Sequence, residues 1–68
     1  MAGIYKITEL VGTSPTSFAE ATKAAVAEAA KTVRNMEWFE VVEERGRIKD
    51  GAVAEFQVTL KIGFRLER

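Results

Sequence analysis

The clearest hydrophobic pattern of the chain is the alternation of apolar and polar residues from Ala54 to Leu66. A period of two predicts a β-strand with one apolar face and one polar face. The segment from about Glu37 to Ile48 also has strand character, and Lys49-Asp50-Gly51 contains the Asp-Gly pair that is typical of a tight turn. The two segments therefore predict an antiparallel hairpin.

The N-terminal half of the chain predicts one more strand and then a helix. Residues 4–11 are rich in β-favouring side chains, and Gly12 is expected to close that strand. Two N-caps compete for the helix, because Ser14 precedes a proline and Ser17 stands three residues before Glu20. The helix is expected to begin between the two serines and to run to about residue 34 or 35. Its apolar residues recur at helical spacing: Phe18, Ala21, Ala25, Val26, Ala29 and Val33.

The order of elements is therefore β-α-β-β, which predicts an α+β fold with one helix packed on the sheet. We expect residues 1–68 to form a single domain. A domain of this size buries only about 60% of the surface that its unfolded chain exposes. The sequence has no Cys and no His, so disulfides and the usual zinc sites cannot supply the missing stability. Association is the remaining route, and we expect a homo-oligomer.

Charge and hydropathy narrow the class of partner. Ten Lys and Arg residues balance ten Asp and Glu residues, whereas nucleic-acid binders normally carry a basic excess. The first residues lack the pattern of a signal peptide, and no apolar run approaches the length of a membrane span. We therefore expect a soluble cytoplasmic protein with neither nucleic acid nor a membrane as its partner.

Trp38 is the only tryptophan, and its position in the strand pattern makes it a candidate binding residue. If Phe39 and Val41 face the core, Trp38 faces the other way. Centring the hairpin on Asp-Gly places it opposite Gly63, which leaves room above the sheet. A large exposed ring favours a partner, which is either another subunit or a planar ligand.

Gln57 lies on the same face as Trp38 but about six strand positions away from Gly63. At about 3.3 Å per residue the separation is roughly 20 Å. One subunit is therefore not expected to place both side chains on one small ligand. If both contact the same molecule, the site must lie between subunits.

Candidates for catalysis are few. Without His or Cys the usual pairs of nucleophile and base lose their members, so we expect no catalytic residues, no metal site and no enzyme. Arg45, Arg47 and Arg65, and with them Lys61, have two interpretations. They are either solvated charges on a strand or cationic groups that recognise phosphate.

Short stretches along nearly the whole chain resemble the dodecin family of small flavin-binding proteins: Tyr5-Lys6, Glu9 to Ser14, Trp38 to Val41, Phe56 to Val58 and Gly63 to Leu66. The resemblance implies a three-stranded antiparallel sheet wrapped around one helix, and a hollow dodecamer. It implies flavin pairs at two-fold interfaces, with an isoalloxazine stacked on Trp38 and its polar edge against Gln57. Arg45 and Arg65 are carried over as contacts to the flavin or its phosphate.

The ligand implied by the resemblance is FMN, riboflavin or FAD, and coenzyme A is a further ligand of some bacterial members. The implied role is storage or sequestration of flavin with quenching of its photochemistry. Two alternatives stay open at this point. The chain could be a structural homo-oligomer that takes up no flavin, or a flavin-dependent reductase.

Overall fold

The computed structural model describes residues 3–67 and has the predicted β-α-β-β order. The elements are strand β1, helix α1 and strands β2 and β3, with the bounds Tyr5–Ser14, Phe18–Ala29, Met36–Lys49 and Ala52–Arg65. The three strands form one antiparallel sheet in the order β1-β3-β2. The predicted α+β fold is thereby confirmed.

The hairpin between β2 and β3 turns at the predicted residues. Asp50 and Gly51 both have positive φ, at 52° and 78°, which is the requirement of the type I′ turn that suits the twist of a hairpin. Lys49 pairs with Ala52 next to the turn, as predicted. Strand β3, which follows the turn, pairs with both β1 and β2 and is the central strand of the sheet.

The core lies between the alanine side of α1 and the apolar face of β3. Six residues form it, and all are buried: Ala21, Ala25, Ala29, Val58, Leu60 and Ile62. Burial of each of the three larger β3 side chains stabilises the fold by about 1.5–3 kcal/mol. Phe18 and Val26 are partly buried around this cluster, so the predicted apolar stripe is confirmed within the helix. Val33 also packs against the cluster, but it lies beyond the end of the helix.

The prediction that Gly12 ends the first strand is wrong, because β1 continues to Ser14. Gly12 is buried inside the strand and lies under the helix. A Cβ at this position would stand 2.1 Å from the carbonyl oxygen of Ala21 and 2.7 Å from the Cβ of Ala25. Gly12 therefore allows the helix to pack closely on the strand, and it does not end the strand.

The helix begins at Phe18, and Ser17 is its N-cap. The Ser17 hydroxyl accepts a hydrogen bond from the Glu20 backbone N–H at 3.0 Å. The competing candidate, Ser14, contributes just before the helix, where its hydroxyl accepts hydrogen bonds from the N–H groups of Thr16 and Ser17. Both serines thus stabilise the turn that precedes the helix.

The predicted end of the helix at residue 34 or 35 is wrong, since α1 ends at Ala29. Beyond it the N–H groups of Lys31 and Thr32 donate to carbonyls three residues earlier, and that of Val33 makes one last bond of helical spacing, to Ala29. Asn35 then takes a φ of 62°, which directs the chain into β2. The helix ends before the helical pattern of the sequence does, because the chain must turn there to enter β2.

The molecule is elongated, with extents of 54 × 20 × 13 Å. A compact chain of this length has a radius of gyration of about 11 Å, whereas this chain has 14.1 Å. The helix packs mainly on β1 and β3, and most of β2 is exposed. Within residues 3–67, no helix is long and apolar enough to cross a membrane.

Candidate functional site

The candidate site lies on the face of the sheet that is turned away from the helix, which we call the outer face. The side chains of Val58, Leu60 and Ile62 point to the helix, so their neighbours in β3 point to the outer face. The pairing of the strands then places the following residues on the outer face: Tyr5, Ile7, Glu9, Val11 and Thr13 from β1, Trp38, Glu40, Glu43, Arg45 and Arg47 from β2, and Glu55, Gln57, Thr59, Lys61, Gly63 and Arg65 from β3.

One end of the outer face, the tryptophan end, consists of Tyr5, Trp38, Gly63 and Arg65. Trp38 pairs with Gly63, as predicted. A Cβ at Gly63 would stand 2.1–2.6 Å from three atoms of the indole ring, so the ring covers the glycine backbone. The ring of Tyr5 lies beside it, with a centroid separation of 5.1 Å and an interplanar angle of 57°. Trp38 nevertheless remains 42% exposed.

Arg65 lies at the tryptophan end, opposite Tyr5. Its backbone is held by Asn35, whose carbonyl accepts from the Arg65 N–H at 3.0 Å and whose side-chain amide donates to the Arg65 carbonyl at 3.3 Å. Arg65 is exposed. Arg65 therefore places a positive charge on the same end of the sheet as the exposed indole.

The other end of the outer face, the glutamine end, is built around the pair of Arg45 and Gln57. Arg45 Nε donates to Gln57 Oε1 at 2.8 Å, and Arg45 Nη1 donates to Glu43 Oε1 at 2.9 Å. A longer contact of 3.4 Å joins Arg45 Nη1 to Thr59 Oγ1. Gln57 Nε2 donates to Glu55 Oε1 at 2.8 Å. These contacts hold an amide between a guanidinium group and a carboxylate.

The position of Arg45 on the outer face depends on irregularities in the hairpin. A regular ladder from the turn would pair Arg45 with Phe56, on the helix side of the sheet. The register shifts between Arg47 and Ile48 and shifts back between Val41 and Glu43, so that Arg45 pairs with Gln57 instead. Val42, which alternation alone would have turned outward with Trp38, lies at the second shift.

The structure brings Trp38 together with Arg65 and Gln57 together with Arg45, but it does not bring Trp38 together with Gln57. Gln57 and Gly63 are six residues apart on β3, which corresponds to about 20 Å. A cavity of about 200 Å³ that Trp38 borders together with Val26 and Ile62 lies on the helix side of the sheet and does not join the two ends of the outer face. That one ligand contacts both ends of the outer face therefore stays a prediction.

Sequence reasoning missed several neighbours of the predicted residues. Glu55 is two residues before Gln57 in the same strand, and this spacing alone indicates that the two side chains share a face. Tyr5 carried no such signal, because its place beside Trp38 depends on the pairing of β1 with β3. Glu43 is likewise two residues before Arg45 in β2, so the same spacing indicates that these two side chains share a face. Within residues 3–67, no three His, Cys, Asp or Glu side chains gather in a group that could hold a metal ion.

Comparison with known proteins identifies the family. The family model described as Dodecin matches residues 4–67. The chain is 52% identical over 67 residues to the dodecin of Thermus thermophilus, covering 98% of this chain and 97% of that protein. It is 27% identical over 63 residues to the calcium dodecin of Mycobacterium tuberculosis, covering 93% and 89% of the two chains.

The solved structure of dodecin from Streptomyces coelicolor has the same fold, with a TM-score of 0.94 and 52% sequence identity. The match covers 97% of this chain and 94% of that one. The fold, the family model and the sequence identity agree along nearly the whole length of the chain. The chain therefore belongs to the dodecin family.

Proposed function

We propose that this protein binds flavin by stacking the isoalloxazine ring on Trp38 at an interface between subunits, and that it stores or sequesters the flavin in the cytoplasm. The ligand would be FMN, riboflavin or FAD. Dodecins are small binding proteins, and the chemistry of the outer face suits such a role. The observation that carries the proposal is the indole ring of Trp38, which covers Gly63 and yet remains 42% exposed.

Trp38 supports stacking because its position is fixed while its surface remains available. Gly63 beneath it and Tyr5 beside it restrict the ring. An aromatic ring that is already restricted loses little conformational entropy when it binds a planar partner, and stacking adds to the free energy gained from burial. A flat apolar ligand is therefore a better fit for this end of the sheet than a flexible polar one.

Gln57, Arg45 and Arg65 would supply the polar contacts. An amide both donates and accepts hydrogen bonds, as the pyrimidine part of a flavin requires. Arg65 is exposed near Trp38, and its guanidinium group suits the phosphate of FMN or FAD. The same chemistry would suit the phosphates of coenzyme A, which we retain as a further ligand.

The contribution of a second subunit follows from the distance between the two ends of the outer face. Since roughly 20 Å separates Gln57 from Gly63 along one strand, the Gln57 that contacts a ring on Trp38 would come from a neighbouring subunit. Dodecin homologues form oligomers, and among residues 3–67 ten large apolar side chains are exposed. We propose a dodecamer in which interfaces cover much of this apolar surface.

Stacking would also change the photochemistry of the ligand. An indole in contact with an excited flavin can donate an electron and recover it rapidly, which returns the energy as heat. A phenyl ring is harder to oxidise than an indole, so it would donate an electron to the excited flavin less readily. Quenching of flavin emission therefore reports the contact with Trp38 as well as binding.

The test is a titration of the protein into riboflavin and FMN, followed by flavin fluorescence, with wild type, Trp38→Phe and Trp38→Ala. We expect strong quenching with wild type and, with Trp38→Phe, weaker quenching at an affinity reduced by less than tenfold. Trp38→Ala loses about 0.5–1.5 kcal/mol of aromatic pairing beyond the area term, so its affinity should fall by at least tenfold.

Two results would contradict the proposal. Flavin emission that wild type leaves unchanged would favour a structural oligomer without flavin. An affinity for flavin that is equal in wild type and Trp38→Ala would show that the ring binds elsewhere. The mass of each variant, measured by size exclusion with light scattering on the same sample, controls for a change in assembly.

A further inference from the structure

The amide of Gln57 is held from both sides by groups of opposite hydrogen-bonding character. Its oxygen accepts from Arg45 Nε at 2.8 Å, and its nitrogen donates to Glu55 Oε1 at 2.8 Å. Arg45 is itself anchored by Glu43, at 2.9 Å. The glutamine side chain is therefore placed between a donor and an acceptor rather than left free to rotate.

The chemistry of these two neighbours fixes the direction of the amide. A guanidinium group has no acceptor, and an ionised carboxylate has no donor. Rotation of the amide by half a turn would put its NH₂ group against Arg45 Nε and its oxygen against the Glu55 carboxylate. Both hydrogen bonds would then be replaced by repulsive contacts, so only one direction of the amide satisfies both neighbours.

The direction of the amide determines where its unused hydrogen-bonding groups lie. Each amide has two N–H donors and two acceptor lone pairs, and the contacts with Glu55 and Arg45 use one of each. One N–H stays on the Glu55 side and one lone pair stays on the Arg45 side. A ligand read by this amide must present an acceptor and a donor in that order.

We infer that Glu55 is a positioning residue which, together with Arg45, sets the direction in which Gln57 reads the cyclic imide edge of a bound ring. The inference rests on the proposed function. An imide edge consists of a carbonyl, an N–H and a second carbonyl, so an amide can pair with either half of it. For a ring stacked on Trp38 through a given face, a fixed amide selects one carbonyl over the other and thereby selects the orientation of the ring in the site.

The experiment compares 2-thioriboflavin with 4-thioriboflavin, in which sulfur, a weaker acceptor than oxygen, replaces one imide carbonyl oxygen at a time. Neither analogue has a phosphate, so contacts between arginine and phosphate do not contribute. Binding is followed through quenching of the emission of Trp38, the only tryptophan. Loss of one hydrogen bond lowers affinity by about three- to tenfold, so wild type should bind one analogue more weakly than the other by that factor.

The variant is Glu55→Gln, whose amide can either accept from Gln57 or donate to it. We expect the ratio of the two affinities to move towards one by at least threefold. Glu44→Gln is the matched control, because Glu44 pairs with Val58 on the helix side of the sheet and should keep the wild-type ratio. Binding of riboflavin by all three proteins shows that each is folded and assembled.

The outcomes separate this inference from the proposed function. A wild type that binds riboflavin but treats the two analogues alike would overturn the inference and leave the proposed function intact. A ratio in Glu55→Gln equal to that of wild type would do the same. A wild type that binds no flavin would overturn the proposed function, and the inference would fall with it.

Discussion

At the scale of single residues, the outer face depends on the pairing of the largest side chain with the smallest. Trp38 lies across Gly63, and the missing Cβ of the glycine is what allows the indole to lie close to the sheet. Tyr5 restricts the ring from one side. The exposed aromatic surface therefore depends on two residues that pair across the hairpin, and substitution of either one can abolish it.

Gly63→Ala should displace the tryptophan without unfolding the chain. The added methyl group would stand 2.1 Å from Trp38 Cζ2, and the ring, which is partly exposed, can move away from it. We expect the affinity for flavin to fall by at least tenfold, while the midpoint of thermal unfolding changes by only a few degrees. The measurements are a fluorescence titration and a thermal melt followed by circular dichroism.

A large drop in the unfolding midpoint of Gly63→Ala would contradict this prediction, since it would show that the ring cannot move. The emission maximum of Trp38 in the absence of ligand provides a direct check. A displaced ring should change that maximum, and an unchanged spectrum with unchanged affinity would mean that the glycine does not control the position of the ring.

At the scale of elements, the fold depends on how closely α1 approaches β1. The buried face of the helix is made of alanines, and Gly12 provides the contact surface on the strand. A helix with small residues on one face can lie near a strand only if the strand is equally slim there. The same pair of elements also carries Ser14, which supports the turn between them.

Gly12→Ala should therefore destabilise the protein. The new methyl group would overlap the Ala21 carbonyl oxygen, a backbone atom that cannot move alone. Overpacking of a core typically costs about 1–3 kcal/mol, and we expect a loss of that size in the free energy of unfolding. Urea denaturation at a fixed protein concentration measures it, because association contributes to stability.

Gly3→Ala is the control for this prediction. A Cβ at Gly3 would have its nearest contact at 3.4 Å, with Tyr5, which is an ordinary van der Waals distance. The midpoint of urea denaturation of Gly3→Ala should match that of wild type. A Gly12→Ala midpoint equal to that of Gly3→Ala would mean that the helix can shift without loss.

The extent to which the sequence predicts these elements depends on the range of the interactions involved. Alternation and the Asp-Gly turn sufficed to pair Trp38 with Gly63, because the two register shifts that lie between the turn and Trp38 cancel. The side of the sheet on which Arg45 lies could not be obtained in this way, since two opposed register shifts move it. Such shifts depend on packing across the sheet rather than on the local pattern.

Long-range packing also explains the errors at Gly12 and at the end of the helix. A glycine after a β-favouring run is locally a stop signal, and only contact with the helix reveals its role in close packing. The segment after Ala29 remains compatible with a helix in sequence, but the chain must turn there to reach β2. In both cases tertiary structure overrides a local preference.

At the scale of the whole molecule, the single chain leaves much of its apolar surface uncovered. Strand β2 is the main example, because both Phe39 and Val41 point to the helix side and remain exposed, at 53% and 43%. An open groove of about 620 Å³ runs between Phe39 and α1. Exposed apolar surface of this kind usually marks a contact between proteins.

Phe39→Glu should weaken the assembly. A charge placed in an apolar interface is costly unless it is paired, so we expect the variant to elute as smaller species than wild type, with a near-wild-type far-ultraviolet spectrum. Size exclusion with light scattering over a range of concentrations measures the change. The proposed dodecamer predicts a wild-type particle of about twelve chains.

The control for this variant is Glu28→Lys, a change of charge on the exposed side of the helix, where Glu28 pairs with Lys31 at 3.0 Å. It should leave the particle size unchanged. Retention of the full particle by Phe39→Glu would show that this face of β2 is not buried between subunits. Loss of the far-ultraviolet signal would instead show that the single chain depends on Phe39 for its fold.

The strand order β1-β3-β2 has a consequence for how the protein is made. Both pairings of the described sheet use β3, the last of the three strands to leave the ribosome. A nascent chain that ends before Ala52 contains two strands and a helix but none of these pairings. The sheet therefore forms only after β3 has been synthesised, and until then the unpaired strand segments are open to aggregation.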